Sequence, residues 1–168
     1  MTLPNSPAAS IYLEPEHEML RDQLRRFIRD EVMPHGDAWE AEGKVPREVL
    51  RRMGELGFLG IRYPADYGGA EMDTIATAVF AEELGKSTFG GFAVTVLDHT
   101  DMSSVHVANA GSEELKRRLM PEIVAGTKIG AVAITEPDAG SDVKAIRTRA
   151  VRDGGEWVID GAKTFITN

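Results

Sequence analysis

The chain has no cysteine among its 168 residues. That absence excludes disulfides, thiolate nucleophiles and zinc–thiolate sites, and it agrees with a reducing, cytoplasmic setting. Long apolar runs are also missing. The longest uncharged apolar stretch, Ser87 to Leu97, is broken by Gly90 and Gly91 and closed by Asp98, well short of the roughly 20 apolar residues that cross a bilayer. Membrane insertion is therefore not expected. Positive charge is scarce as well: 19 basic residues face 27 acidic ones, a formal charge of -8. Such a balance repels a phosphate backbone, so no nucleic-acid partner is expected. The opening Met1 to Ser10 has no basic residue and no long apolar segment, so it reads as neither a secretory signal nor an arginine-rich transit peptide. Any chemistry has to come from oxygen, imidazole or a bound cofactor.

Helical periodicity dominates the chain up to Gly126. From Pro15 to Met33 the apolar residues Leu20, Leu24, Phe27, Ile28 and Val32 recur at helical spacing between arginines, which predicts one amphipathic helix ended by Pro34. A second helix has Pro46 in its first turn, buries Val49, Leu50, Met53 and Leu56, and stops at Gly57, a residue that takes the left-handed cap conformation. Pro64 to Gly69 is a turn, and Asp73 caps a helix that carries Ile75, Val79, Phe80 and Leu84 and closes near Gly85. Thr88 to Ala110 is apolar on more than one face, so its helical segments are expected at the centre of a bundle. Ser112 caps a further helix through Leu119, with Glu113 and Glu114 where the helix dipole favours acids. Pro121 and Gly126 then punctuate the chain.

After Gly126 the period changes to two. Ile129 to Thr135 reads as a buried strand, Ala145 to Val151 alternates apolar and polar residues, and Glu156 to Ile159 and Ala162 to Thr167 flank Asp160-Gly161, a two-residue hairpin signal. The fold class is α+β, with a helical domain over residues 1–126 and the beginning of a sheet over residues 127–168. Two or three strands cover little of their own apolar face. The chain is therefore expected to be the front part of a longer protein, or to rely on partner chains.

The stretch Ala133-Ile-Thr-Glu-Pro-Asp-Ala-Gly-Ser-Asp142 sets Glu136, Asp138 and Asp142 beside two hydroxyls, a proline and a glycine. As a metal loop it lacks the alternating acids and distant glutamate of a calcium site, and as a phosphate loop it lacks Gly-Lys-Ser/Thr and a run of glycines. Spacing alone makes it a turn at Pro137 and Gly140, with Ser141 and Asp142 capping the next turn. His99 and His106 lie about two helical turns apart near Asp98 and Asp101, which fits a metal pair or two packing residues with hydrogen bonds; no metal site is assigned. Lys144, Arg147 and Arg149 fit a solvated face or a phosphate-bearing ligand. No Ser/His/Asp set and no Schiff-base lysine stand out.

These residues carry a resemblance. Ala133 to Asp142, followed by Gly161-Ala-Lys-Thr-Phe-Ile-Thr-Asn168, resembles the paired flavin-binding motifs of the acyl-CoA dehydrogenases. Pro64-Ala-Asp-Tyr-Gly-Gly69, Gly111-Ser-Glu-Glu-Leu-Lys116 and Leu119-Met-Pro121 are similar to landmarks of that family's amino-terminal helical domain, in the family's order. The resemblance implies an all-α bundle followed by the first strands of a β-barrel-like middle domain, with the carboxyl-terminal helical domain absent from this chain. It implies an FAD enzyme that converts an acyl-CoA substrate to the trans-2-enoyl-CoA and passes electrons to an electron-transfer flavoprotein, working as a homo-oligomer, a dimer or tetramer. By the same likeness Val132, Ala133, Ile134, Thr135, Gly140 and Ser141 lie along the flavin, and Phe165, Ile166 and Thr167 pack beside it; Ser141 also reaches the CoA substrate. Phe165 stands where many members have tryptophan, and Asp138 where small residues are frequent. No residue here is a candidate for the catalytic base, which the family keeps in its carboxyl-terminal domain.

Hydride arrival leaves negative charge at the pyrimidine end of a flavin, so neutral donors are favoured there and carboxylates are not. Glu136 and Asp142 are therefore expected to turn away from the ring and brace the loop through amide or arginine contacts, with Thr135 facing the ring. Two other readings stay open: a noncatalytic flavin- or CoA-binding subunit paired with a complementary chain, and an oxidase relative that returns electrons to oxygen. Gly90, Gly91 and Ala93 leave room beside the helices from Phe92 to Val105, which the resemblance sets against the acyl pocket. Medium or long acyl chains are expected.

Overall fold

The computed structural model describes residues 12–168, so the reading of Met1 to Ser10 lies outside the described residues. In chain order it comprises α1 (Pro15–Phe27), α2 (Gly36–Glu42), α3 (Arg47–Glu55), α4 (Thr74–Lys86), α5 (Gly90–Leu97), α6 (Ser104–Ala110), α7 (Glu113–Val124), β1 (Arg149–Asp153) and β2 (Glu156–Asp160). The architecture is α+β, a helical bundle followed by a two-stranded antiparallel ribbon. Among the described residues no helix is long and apolar enough to cross a membrane.

The helical stripe of α1 forms the bundle's main seam. Leu20, Leu24 and Phe27 are buried in one cluster with Leu50 and Met53 of α3 and Val79, Phe80 and Leu84 of α4. Truncating one such residue to alanine removes about 2–5 kcal/mol. His17 joins the starts of α1 and α4: its Nδ1 accepts the Glu14 amide at 2.9 Å, which leaves the proton on Nε2 for Asp73, also at 2.9 Å. Asp73 in turn caps α4 by accepting the Ala76 amide at 2.9 Å. Along the same seam the Glu83 carboxylate, 1% exposed, accepts from Arg25 at 3.0 and 3.1 Å and from Lys86 at 2.9 Å. Past Phe27 the helix widens into a π turn, Ile28–Val32, in which the Met33 amide reaches the Ile28 carbonyl at 2.8 Å. Pro34, with no N–H, ends it. The short α2 that follows has no periodicity to announce it; Trp39 holds it on Phe92, with ring centroids 6.3 Å apart.

Several expectations are corrected. Thr88 to Ala110 does not lie at the centre of the bundle. There α5, a π segment (Asp98–Ser103) and α6 run end to end, burying Phe92, Val96, His99 and Ser104, while Val94 and Met102 are each 49% exposed. Helix α7 continues beyond Leu119, through Pro121, to Val124. The proline removes one backbone bond, and the packing of Met120, Ile123 and Val124 with Tyr63 holds the turn. Ile129 to Thr135 is extended but belongs to no strand and is only half covered. The predicted strand from Ala145 starts at Arg149, after a 3₁₀ turn at Val143–Ala145, and Ala162 to Thr167 forms no strand. The hairpin also sits elsewhere: β1 and β2 pair from Arg149↔Asp160 to Asp153↔Glu156, so Gly154-Gly155 is the turn, with Gly154 at φ 58. Asp160-Gly161 ends β2 instead. A Cβ on Gly161 would lie 2.2 Å from the Thr148 hydroxyl, so this glycine serves a close approach rather than a hairpin.

Candidate functional site

Two extended segments, residues 129–135 and 163–168, lie side by side in opposite directions. The Thr164 amide donates to the Thr135 carbonyl at 2.9 Å, and the Asn168 side-chain amide donates to the Gly130 carbonyl at 3.2 Å. They form a short wall whose two ends are fastened to different elements.

At one end the fastening is the π segment. The Gly130 amide donates to His99 Nδ1 at 3.0 Å, so the ring proton sits on Nε2 and goes to the Ile123 carbonyl of α7, also at 3.0 Å. Burial lowers the His99 pKa, the Ile123 carbonyl opposes this and Arg47 adds to it; the ring is held neutral. A Cβ on Gly130 would lie 2.3 Å from Ser103 Oγ, so only glycine lets the segment come this close. Asn168 Nδ2 also donates to the Thr95 carbonyl at 3.0 Å and to Asp98 Oδ2 at 3.4 Å. Asp98 is 2% exposed, and its Oδ1 has no partner among the described residues. Burial raises its pKa, and the Val132 amide beside it works the other way. Tyr63 supports the π segment from below by donating its hydroxyl to the Thr100 carbonyl. Burial and Asp101 push that phenol up to about 12, against Arg62. The turn after it delivers Tyr63: Gly68 takes φ 86, and a Cβ on Gly69 would lie 1.9 Å from the Tyr63 carbonyl.

At the other end the fastening is Glu136. Its backbone closes a tight turn with Ala139, at 2.8 and 3.2 Å. Its buried carboxylate accepts the amides of Arg147 at 2.7 Å and Thr148 at 2.9 Å and Lys163 Nζ at 3.0 Å, while Lys163 also donates to the Ile134 carbonyl at 2.8 Å. The neighbouring Thr148 hydroxyl, these two amides and Lys163 hold the carboxyl down at about 2, against its own desolvation. Glu136 is thus a brace turned into the protein, held by amides and a lysine rather than by arginine. Asp142 caps the Val143–Ala145 turn through the Lys144 amide at 3.2 Å.

Between its fastened ends the wall is open. Among the described residues no protein acceptor takes the backbone N–H groups of Ala133, Thr135, Ile166 or Thr167. Phe165 is 92% exposed at φ 55, a left-handed conformation that costs a non-glycine residue about 1–2 kcal/mol. Ala133, Ile134 and Ile166 are exposed, and Val132, Thr135 and Thr167 are half-buried. Gly140 and Ser141 are exposed beyond the Glu136–Ala139 turn, with no hydrogen bond to residues 163–168 among the described residues. Open amides beside an exposed aromatic suit a flat heteroaromatic ring, which takes donors at its edge and a stacked side chain on its face. A cleft of about 600 Å³ lies elsewhere, lined by Glu136, Asp138, Arg147, Arg149 and Asp160 among others. None of the expected flavin residues lines it, and two of its charges, Asp138 and Arg147, pair with each other at 3.5 Å.

Backbone groups occupy both His99 nitrogens, so His99 serves as a joint rather than one half of a metal pair. Among the described residues no three His, Asp or Glu side chains converge as a metal site. Asp98, Lys163 and Asn168 escape the sequence reading. Asn168 carries a signal, as the last residue of the Phe165 run, whereas an acid in mid-helix carries none.

Over residues 14–127 the chain matches the acyl-CoA dehydrogenase N-terminal domain family, and over residues 131–168 the acyl-CoA dehydrogenase middle domain family. The chain belongs to the acyl-CoA dehydrogenase family. It is 41% identical over 153 residues to the mitochondrial long-chain specific acyl-CoA dehydrogenase of Mus musculus, covering 91% of this chain and 35% of that protein. Among solved structures it is similar to an acyl-CoA dehydrogenase from Geobacillus kaustophilus, with TM-score 0.84, 40% identity, and coverage of 92% of this chain and 40% of that one. It is also similar to an acyl-CoA dehydrogenase complexed with FAD from Bacillus anthracis, with TM-score 0.83, 33% identity, and coverage of 93% and 27%. The chain therefore spans well under half the length of these acyl-CoA dehydrogenases.

Proposed function

We propose that this chain forms the flavin-facing part of an acyl-CoA dehydrogenase, an oxidoreductase that takes two hydrogens from the α and β carbons of an acyl-CoA thioester and yields the trans-2-enoyl-CoA. The observation that carries this reading is the wall itself: Phe165 is held strained and exposed beside unpaired amides, with the Glu136 carboxylate turned inward. Strain of this kind persists where a ligand makes use of it. FAD fits such a surface, and when bound it supplies the hydride acceptor. Residues 132–135, Gly140 and Ser141, with Phe165, Ile166 and Thr167, would hold it. The Thr135 hydroxyl and the open amides donate hydrogen bonds to an edge that gains negative charge. Phe165 gives a flat apolar face, and Ile134 and Ile166 exclude water beside it. Ser141 would also meet the CoA substrate. The carboxylate that takes the α-proton is assigned to the part of the relatives that this chain does not span.

Val94 and Met102, half exposed on the rod formed by α5 and α6, are apolar side chains suited to a medium or long acyl chain. Electron-transfer flavoprotein as acceptor, a homo-oligomeric assembly, a cytoplasmic location and a domain boundary near Gly126 complete the proposal. The test is to purify the protein from its whole reading frame, record its flavin spectrum, and add butyryl-, octanoyl- and palmitoyl-CoA anaerobically. Bleaching of a bound flavin by the longer thioesters is expected. A protein that takes up no FAD overturns the flavin reading, preference for butyryl-CoA overturns the chain length, and peroxide release on turnover identifies an oxidase instead.

A further inference from the structure

We propose that Asp98 is a positioning residue: from the π segment its carboxylate holds the Asn168 side-chain amide, which also takes the Gly130 carbonyl, and so sets the spacing between the two segments of the wall. The inference rests on the flavin reading above. Asn168 of the second segment reaches this side chain at 3.4 Å, and its amide takes the Gly130 carbonyl of the first segment at 3.2 Å. The same Asn168 amide takes the Thr95 carbonyl on the preceding helical turn, so the end of the Phe165–Thr167 run is clasped to one patch of the helical rod.

The bundle's own packing does not account for the carboxylate. Asp98 is buried with one oxygen unpartnered among the described residues, a state that lowers stability relative to an apolar or neutral residue of similar size. The π turn points the same way. Such wide turns weaken the regular ladder of a helix and recur at functional sites. Here the turn sets Asp98 and His99 consecutively against the wall, one clasping Asn168 and the other the Gly130 amide. Releasing the Asn168 side chain leaves the Ile166–Thr167 run held, among the described residues, by Thr164 at the far end and by the exposed Arg47 on the Asn168 carbonyl at 3.3 Å.

The test compares the protein from its whole reading frame with its Asp98→Leu, Asp98→Asn and Asn168→Ala variants. The readouts are FAD affinity, the spectrum and reduction potential of bound FAD, and amide hydrogen exchange of the flavin-free protein. Positioning predicts that Asp98→Leu and Asn168→Ala bind FAD about tenfold more weakly or worse and exchange faster over residues 129–135 and 163–168, with α1 and α4 unchanged. Asp98→Asn, whose side-chain oxygen still accepts, restores most of both. Wild-type FAD affinity and exchange in Asp98→Leu overturn the proposal, whatever happens to Tm. So does an Asp98→Asn protein with wild-type exchange but FAD binding as weak as that of the leucine variant, since charge alone would then be responsible. Should the wild-type protein take up no FAD, the flavin reading fails by itself and the exchange comparison still decides for or against positioning. If Asp98→Leu does not fold, Asn168→Ala carries the same comparison.

Discussion

Replacing His99 with leucine tests the joint between the bundle and the wall. The ring is fully buried and makes two hydrogen bonds at 3.0 Å, to the Ile123 carbonyl and from the Gly130 amide. Leucine is close to histidine in volume, so the main loss is those bonds. An orphaned group in a buried setting costs about 1–3 kcal/mol. The Ile123 carbonyl lies on a buried residue, whereas Gly130 is half-buried and can recruit water. Apolar burial of leucine offsets about 1 kcal/mol, leaving a net loss of about 1–3 kcal/mol. Urea unfolding at pH 7.5 reads this directly. A second signature lies in pH. The folded pKa of His99 is lowered from its ordinary 6.5, so below that pH the unfolded chain takes up a proton that the folded chain refuses. His99 thus supports stability fully above about pH 6.5 and loses that contribution as pH falls, at up to about 1.4 kcal/mol per pH unit. The leucine variant lacks this component, so the gap between the two proteins narrows from pH 7.5 to 5.5. Equal stability of both at pH 7.5, or a gap that stays constant with pH, refutes the reasoning.

Three further substitutions probe other parts. Glu83→Gln removes the carboxylate that Arg21, Arg25 and Lys86 share; two of those cations are half exposed, so the loss is about 2–3 kcal/mol rather than the full value of a buried pair, and a loss under 1 kcal/mol in urea counts against the network. Phe165→Gly relieves about 1–2 kcal/mol of left-handed strain against up to about 1 kcal/mol of added chain entropy. The flavin-free protein should therefore be no less stable while FAD binding weakens, and a clear fall in the flavin-free Tm would show that Phe165 packs on something. Glu136 has its carboxyl held at about 2 rather than its ordinary 4.5, so its contribution is complete above about pH 4.5 and vanishes as pH falls toward 2. Thermal unfolding should accordingly separate wild type from Glu136→Gln at pH 6 and close most of that gap by pH 2.5, and curves that stay parallel throughout would contradict the brace.

Much of the fold is written in local signals. The stripe of Leu20, Leu24 and Phe27, the caps at Asp73 and Ser112 and the left-handed Gly57 act within a turn or two of themselves, and the structure realises each. Failures cluster where a distant partner overrides the local rule. Pro121 would stop α7 in isolation, but Met120, Ile123 and Val124 find Tyr63. Asp160-Gly161 has the composition of a hairpin turn, yet Gly154-Gly155 offers a two-residue turn with less steric demand, and Thr148 needs a glycine beside it. The same division holds for the site. The inward turn of Glu136 is legible because a carboxylate is disfavoured beside a flavin edge that gains negative charge, so the loop has to brace it elsewhere. The grip of Asp98 on Asn168 spans most of a domain in sequence and leaves no periodic trace.

The buried carboxylates among the described residues can be ordered by how completely they are satisfied. Glu83, between α1 and α4, has cations on both oxygens. Glu136, at the wall's edge, has two amides and one lysine. Asp98, at the wall's opposite end, has one long bond from Asn168, and its Oδ1 has no partner among the described residues. A carboxylate with every lone pair engaged is fixed by its partners, and moving it breaks strong contacts. The rod that carries Asp98 exposes Val94 one turn before it and Met102 one turn after it. The least satisfied acid therefore lies on the rod between Val94 and Met102, the two half-exposed apolar side chains proposed to meet the acyl chain.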